Sequence, residues 1–234
     1  MKSLVLFVFG VMATFFVLSN QKEINGIKNQ FLKDFALSEE KEFTYDDYDP
    51  SNDERFSEEE RTYFSKIVKR SEYHGSVPIG RWKTDMKIYV MGQKPDFLLE
   101  ELNRIVGELN EIINPINIEI VDSEQESNFV ILMDSQDAYN DFDSYSKKFT
   151  ENNWGLFIVN AGEDIHEGSM YIDVFRCESI EGQKHLLREE LTQSLGLKND
   201  SYDYPESIFY QGWTETTEYA PIDRKLIGML YNYY

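Results

Sequence analysis

The stretch His185-Leu-Leu-Arg-Glu-Glu-Leu-Thr-Gln-Ser-Leu-Gly-Leu-Lys-Asn-Asp200 concentrates the residues that could do chemistry. It reads as a helix bearing Arg188, Glu189, Glu190 and Gln193 that runs into Gly196 and a polar turn. A helix that builds a catalytic zinc site puts two ligands at i and i+4 on one face and a Glu beside the first as general base. A glycine then ends the helix so that a third ligand swings in. In that frame the helical ligand positions fall on Glu189 and Gln193 and the base position on Glu190. Gly196 ends the helix, and the third ligand position is Asn199, followed by Asp200. All three ligand positions carry oxygen donors where zinc prefers imidazole, so no zinc site is expected and no metal or other cofactor is assigned. Any ion held there would be a hard cation such as Ca²⁺ or Mg²⁺.

The other routes to catalysis are weaker. Of the three histidines, His74, His166 and His185, only His185 shares the helix, one turn before Glu189 and on the same face. Adjacent helical residues point about 100° apart, so Glu189 and Glu190 cannot act on one bond as a carboxylate pair. There is no G-x-S-x-G, no phosphate-binding loop and no dinucleotide fingerprint, and the lone Cys177 has no evident base. Two readings of Glu189, Gln193 and Asn199 remain. In one they form a hydrogen-bonded network, with Arg188 or Thr192, that fills the place of a metal. In the other Glu190 still serves as a general base. After the helix, Tyr202, Tyr204, Tyr210, Trp213 and Tyr219 are candidates either for a peptide- or glycan-binding groove or for ordinary packing.

The elements that must position this helix are legible by period. Ser57-Glu-Glu-Glu60 is a capping box, and Tyr63, Phe64, Ile67 and Val68 then recur at helical spacing. Met86–Met91 reads as a strand ending at Gly92. Residues 95–113 form the longest amphipathic helix, with Leu98, Leu102, Ile105, Leu109 and Ile112 on one stripe. Strands follow at 116–121, 128–133, 154–159 and 169–175, then the helix from about 181 to 195. This order predicts an α+β fold of mixed α/β layers, with a largely parallel sheet backed by the 95–113 helix. Residues 134–153, with Tyr139, Phe142, Tyr145 and Phe149 among polar groups, are long enough to cover a cleft.

Ahead of this domain, residues 3–18 are apolar without a charge and follow Lys2, as in a signal peptide or an N-terminal membrane anchor. Either predicts export to the periplasm, envelope or exterior. Residues 21–56 are rich in Asp and Glu and read as an acidic linker, leaving the domain at 57–234. With 43 Asp+Glu against 23 Lys+Arg, the net charge of −20 repels phosphate backbones, so nucleic acid is excluded as a partner. A protein, peptide or glycan partner is expected instead.

Phe64, Glu72-Tyr73, Arg81-Trp82, Arg188-Glu-Glu-Leu-Thr-Gln193, Leu195-Gly-Leu197 and Asn199-Asp200 resemble a family of bacterial exported proteins of unknown function, commonly described as lipoproteins. That family is similar to the metzincin-like zinc peptidases, and the resemblance spans about residues 57–234. It implies that Ser207-Ile-Phe-Tyr210, with Ser207 and Phe209, forms the turn lying under the metal in a metzincin. It also implies that Asp223, Leu226, Leu230 and Tyr231 belong to a closing helix. The chain departs in lacking a lipid-attachment cysteine after its apolar segment. The expectation is an exported zincin-like domain without the zinc ligands, serving as a binding or structural protein. The alternative is a peptidase-like hydrolase with Glu190 as base and a non-standard or absent metal.

Overall fold

The computed structural model describes residues 49–71 and 75–232. The apolar segment 1–20, most of the acidic linker, Glu72, Tyr73 and His74 lie outside the described residues. Among those described, no helix is long and apolar enough to cross a membrane.

The described chain opens with a 3₁₀ turn, Pro50–Asn52, whose Asp49 cap also pairs with Lys69 at 2.5 Å. Phe56 is buried, so residues 49–56 pack onto the domain. Helix α1, Glu58–Val68, is fixed by the expected capping box: Ser57 Oγ accepts from Glu60 N at 3.1 Å and Glu60 Oε2 from Ser57 N at 2.8 Å. Two short strands, β1 (Arg70–Ser71) and β2 (Gly75–Ser76), form an antiparallel pair. β3, Arg81–Trp82, pairs in parallel with β8, Asp164–Ile165.

The main sheet has five strands, β4 (Met86–Gly92), β5 (Ile118–Ile120), β6 (Phe129–Asp134), β7 (Gly155–Val159) and β9 (Gly168–Asp173). Their spatial order is β5-β4-β6-β9-β7, parallel throughout except that the edge strand β7 runs antiparallel to β9. β7 and β9 lie close in sequence, so a hairpin-like return suffices, whereas each parallel pair needs a crossover. Strand alternation then divides the sheet into two faces. Ile88, Val90, Ile131, Met133, Met170 and Ile172 share one face and join the principal core. That core also takes the stripe Leu98, Leu102, Ile105 and Leu109 of helix α2, Asp96–Ile112. Helices α5 (Ile180–Ser194) and α6 (Pro221–Tyr231) complete this layer.

The opposite face carries Leu132, Leu156 and Tyr171, against which Tyr139 of α3, Gln136–Phe142, packs. Tyr139 stacks on Tyr171 with centroids 4.6 Å apart. α4, Lys147–Thr150, follows on the same side. Residues 134–153 therefore cover the back of the sheet, away from α5. An Arg176 clamp holds them there: its guanidinium donates to the carbonyls of Thr150, Glu151 and Asn153 and is itself paired with Asp173 at 2.6 Å.

Candidate functional site

α5 is the most buried helix, because it packs on β7 and β9 of the sheet and side by side with α2, and so has almost no solvent face. Ser179 caps it by accepting from Gly182 N at 3.1 Å. It stops at Gly196, where φ is +120° and an added Cβ would meet the carbonyl oxygen of Gly80. Both the left-handed backbone and this close approach call for glycine.

Each candidate residue then points where its helical phase sends it. Arg188 does not face a cleft. It is fully buried against α2, with Nη2 3.0 Å from Glu101 Oε1, Nη1 3.0 Å from Glu108 Oε2, and its guanidinium 4.3 Å over the Tyr219 ring. Thr192 lies on that side too, bonded to Tyr219 Oη at 2.6 Å. The expectation that Arg188 or Thr192 joins a network with Glu189, Gln193 and Asn199 is therefore corrected. Residues 188 and 192 occupy one face of the helix, and 189 and 193 the neighbouring one.

Glu189 and Glu190 diverge as the 100° step requires. Glu189 Oε2 lies 3.4 Å from His185 Nε2. His185 is buried and its Nδ1 lies 2.8 Å from the Thr216 carbonyl, which can only accept. With an acceptor at each ring nitrogen, the doubly protonated ring suits the site. Burial works against that charge, but the hydrogen bond and charge of Glu189, the Thr216 carbonyl and the charge of Glu215 outweigh it and raise the His185 pKa. Glu190 turns instead toward the edge strand. It is buried, and its Oε1 would stand 2.7 Å from a Cβ placed on Gly155, so the absent side chain of Gly155 makes the space its carboxylate occupies.

Gln193 donates from Nε2 to Asp200 Oδ1 at 2.5 Å. Asn199 donates from Nδ2 to the carbonyls of Lys66 at 3.1 Å and Asp200 at 2.7 Å, tying the turn to α1. Gln193 and Asn199 thus meet on Asp200, whereas Glu189 turns away to His185, so the three positions do not point to one centre. Among the described residues no group of three or more His, Cys, Asp or Glu side chains is arranged to hold a metal ion.

The turn at Ser207 lies beside this segment, because Ser201 N donates to the Phe209 carbonyl at 2.9 Å and Gln211 N to the Ser201 carbonyl at 3.2 Å. Ser207 and Phe209 are fully buried. Ser207 Oγ bonds Asp223 Oδ1 at 2.5 Å and Tyr63 Oη at 3.0 Å, and Asp223 Oδ2 accepts from Ile208 N at 3.0 Å. The turn is thereby locked between α1 and α6. Burial raises the Asp223 pKa, although these hydrogen bonds oppose the shift.

The aromatic residues after α5 do not line a single groove. Tyr219 is buried under Arg188, while Tyr204 packs on Tyr63 and donates to Glu59 at 2.7 Å. Tyr202 meets Tyr210 edge-on. Trp213 instead joins Trp154, which had no place in the candidate site read from sequence. Their centroids are 5.6 Å apart at 76°, and both rings are exposed, at 57% and 41%. Trp213 is one of the groove candidates of the sequence, whereas for Trp154 the sequence offers a Trp-Gly step opening a strand.

The chain belongs to DUF2927, a family of proteins of unknown function, which matches residues 57–233. No curated protein matches it. Solved structures similar to it include two of myroilysin. One is 12% identical, covering 66% of this chain and 83% of that one at a TM-score of 0.40. The other is 10% identical, covering 65% and 86% at a TM-score of 0.39.

Proposed function

We propose that this DUF2927 protein is an exported, zincin-like domain whose former metal centre is degenerate, and that it acts as a binding or structural protein of the cell envelope or exterior. The carrying observation is the use made of the ligand positions. Gln193 is bonded to Asp200 at 2.5 Å, Glu189 faces His185 at 3.4 Å, and Asn199 is turned to the Lys66 carbonyl at 3.1 Å. A zinc peptidase needs three converging donors, chiefly imidazoles, and an open fourth position. This donor set does not fit zinc. Without the ion, the charge that lowers the pKa of the attacking water is missing, and with it most of the rate such an enzyme achieves.

The polar groups around 189–200 then serve stability, which leaves the surface beside α5 for a protein, peptide or glycan partner. Export rests on the apolar segment 3–18, and its cleavage or retention decides between a free and a membrane-anchored form.

One observation favours hydrolysis as a second reading: Glu190 is a buried carboxylate set against the edge strand at Gly155, where a general base would stand. The test is turnover of a mixed peptide library by the full-length protein and its Glu190→Gln variant, followed by mass spectrometry. The binding reading predicts no cleavage by either. Cleavage by the wild type that disappears in Glu190→Gln would establish the hydrolase instead.

A further inference from the structure

We propose that the Trp154–Trp213 corner is a recognition site for a basic polypeptide segment, with a lysine or arginine side chain seated against the indole faces. The inference rests on the binding-protein reading above and specifies its partner chemistry.

The corner is built rather than incidental. Of the three tryptophans, Trp82 is buried and donates from Nε1 to the Ser194 carbonyl at 3.1 Å, the ordinary fate of a large aromatic residue. Trp154 and Trp213 leave 41% and 57% of their surface to solvent, yet they sit edge to face at 5.6 Å and 76°. That arrangement makes a re-entrant angle whose two walls are π faces, and such faces attract cations within about 6 Å of the ring centroid.

The walls are held in place from below. Trp213 Cζ2 would lie 3.1 Å from a Cβ on Gly182, so the ring rests where α5 has no side chain. It meets the His185 ring in a T-shaped contact with centroids 6.0 Å apart, and His185 fixes the same loop through the Thr216 carbonyl at 2.8 Å. Trp154 is anchored by its neighbour Gly155, which opens β7 and pairs with Ile172. A preorganised aromatic wall loses little conformational entropy on binding.

Charge selects the cation over a neutral ring. The chain carries −20, and Glu215, two residues from Trp213, is exposed and close enough for its charge to act on His185. Glu189 faces the same histidine at 3.4 Å. The nearby lysine, Lys184, is occupied by Glu181 at 3.1 Å. Arg176, which lies on the Asn153 carbonyl beside Trp154, is paired with Asp173 at 2.6 Å, and the His185 imidazolium is set against Glu189 and Glu215, so these three cations face four carboxylates.

The experiment is a titration of the full-length protein, followed by tryptophan fluorescence and calorimetry, with a pentalysine peptide, a pentaglutamate peptide and a chitopentaose. The variants are Trp213→Ala, Trp154→Ala and Glu215→Gln, each checked for an unchanged melting temperature. Pentalysine is expected to bind. Either tryptophan variant should weaken it roughly fivefold or more, and Glu215→Gln by about two- to threefold. Pentaglutamate should not bind. Pentalysine affinity equal in wild type and both tryptophan variants would mean attraction to the net charge alone and would overturn the proposal. Preferential binding of chitopentaose would overturn it in favour of a glycan. Mass spectrometry of the same mixtures separates this failure from that of the underlying reading, because peptide cleavage would contradict the binding-protein account whatever the affinities.

Discussion

Replacing Arg188 by Met removes a cation between α2 and α5 that has no access to solvent. Its guanidinium makes three hydrogen bonds, to Glu101 at 3.0 Å and to Glu108 at 3.0 and 3.2 Å, and covers Tyr219 at 4.3 Å. Methionine fills much of the volume but leaves Glu101, 5% exposed, and Glu108, 15% exposed at its side chain, facing each other. Breaking a buried pair by removing one partner costs about 3–5 kcal/mol. Arg104 stays bonded to both carboxylates and Arg224 to Glu108, so the lower end applies, about 3 kcal/mol. For a domain of this size that corresponds to a melting temperature lower by roughly 6–12 °C. Urea unfolding measured beside the melting curve should show a lower midpoint at unchanged slope. Adding Glu101→Gln and Glu108→Gln to the Met variant should recover about half of the loss, since neutral amides tolerate the interface better. If Arg188→Met alone loses less than about 1 kcal/mol, the buried-cation account of the α2–α5 interface is wrong.

Gly155→Ala should destabilise by about 1 kcal/mol because the new methyl group meets Glu190 Oε1 at 2.7 Å, and much less in a Glu190→Ala background; equal costs in both, read by chemical denaturation, would remove the contact. His185 has a raised pKa, so the stability that it adds over a His185→Gln variant should be full below its ordinary value near pH 6.5 and lost as pH rises through the raised one. A difference between the two proteins that grows with pH would contradict the imidazolium assignment. Burial lowers the Lys198 pKa to about 8, so its ammonium should titrate near there in an NMR pH series. A Lys198 midpoint above pH ~10, the ordinary lysine range, would refute that burial effect. Arg176→Ala should speed amide exchange across residues 136–153 while leaving α5 protected, since the clamp holds only the back of the sheet.

What the sequence made legible was local. Ser57 and Glu60 are three residues apart, and the stripe Leu98, Leu102, Ile105 and Leu109 repeats within one helix, so both follow from period and hydrogen-bonding geometry alone. Gly196 announced the end of α5 in the same way. Arg188 was misplaced because its partners are about 80 residues away. The available signal was the seven-residue spacing of Glu101 and Glu108, which sets both carboxylates beside the apolar stripe of α2. The antiparallel turn of β7 was equally hidden, since a buried apolar strand reads the same in either direction. Trp154 went unrecognised for a third reason. Exposure is a property of the assembled surface, and an exposed indole is spelled no differently from a buried one. At 189–200 the spacing names the residues, but that Glu189 turns to His185 while Gln193 and Asn199 meet on Asp200 is a matter of side-chain direction.

If positions 189, 193 and 199 are satisfied within the protein, they hold no catalytic ion. Elemental analysis of the purified full-length protein, after dialysis against mixed Zn²⁺, Ca²⁺, Mg²⁺ and Mn²⁺, should then find no stoichiometric metal, with the same result in Glu189→Gln and Gln193→Ala. One tightly bound ion per chain that disappears in either variant would contradict this reading.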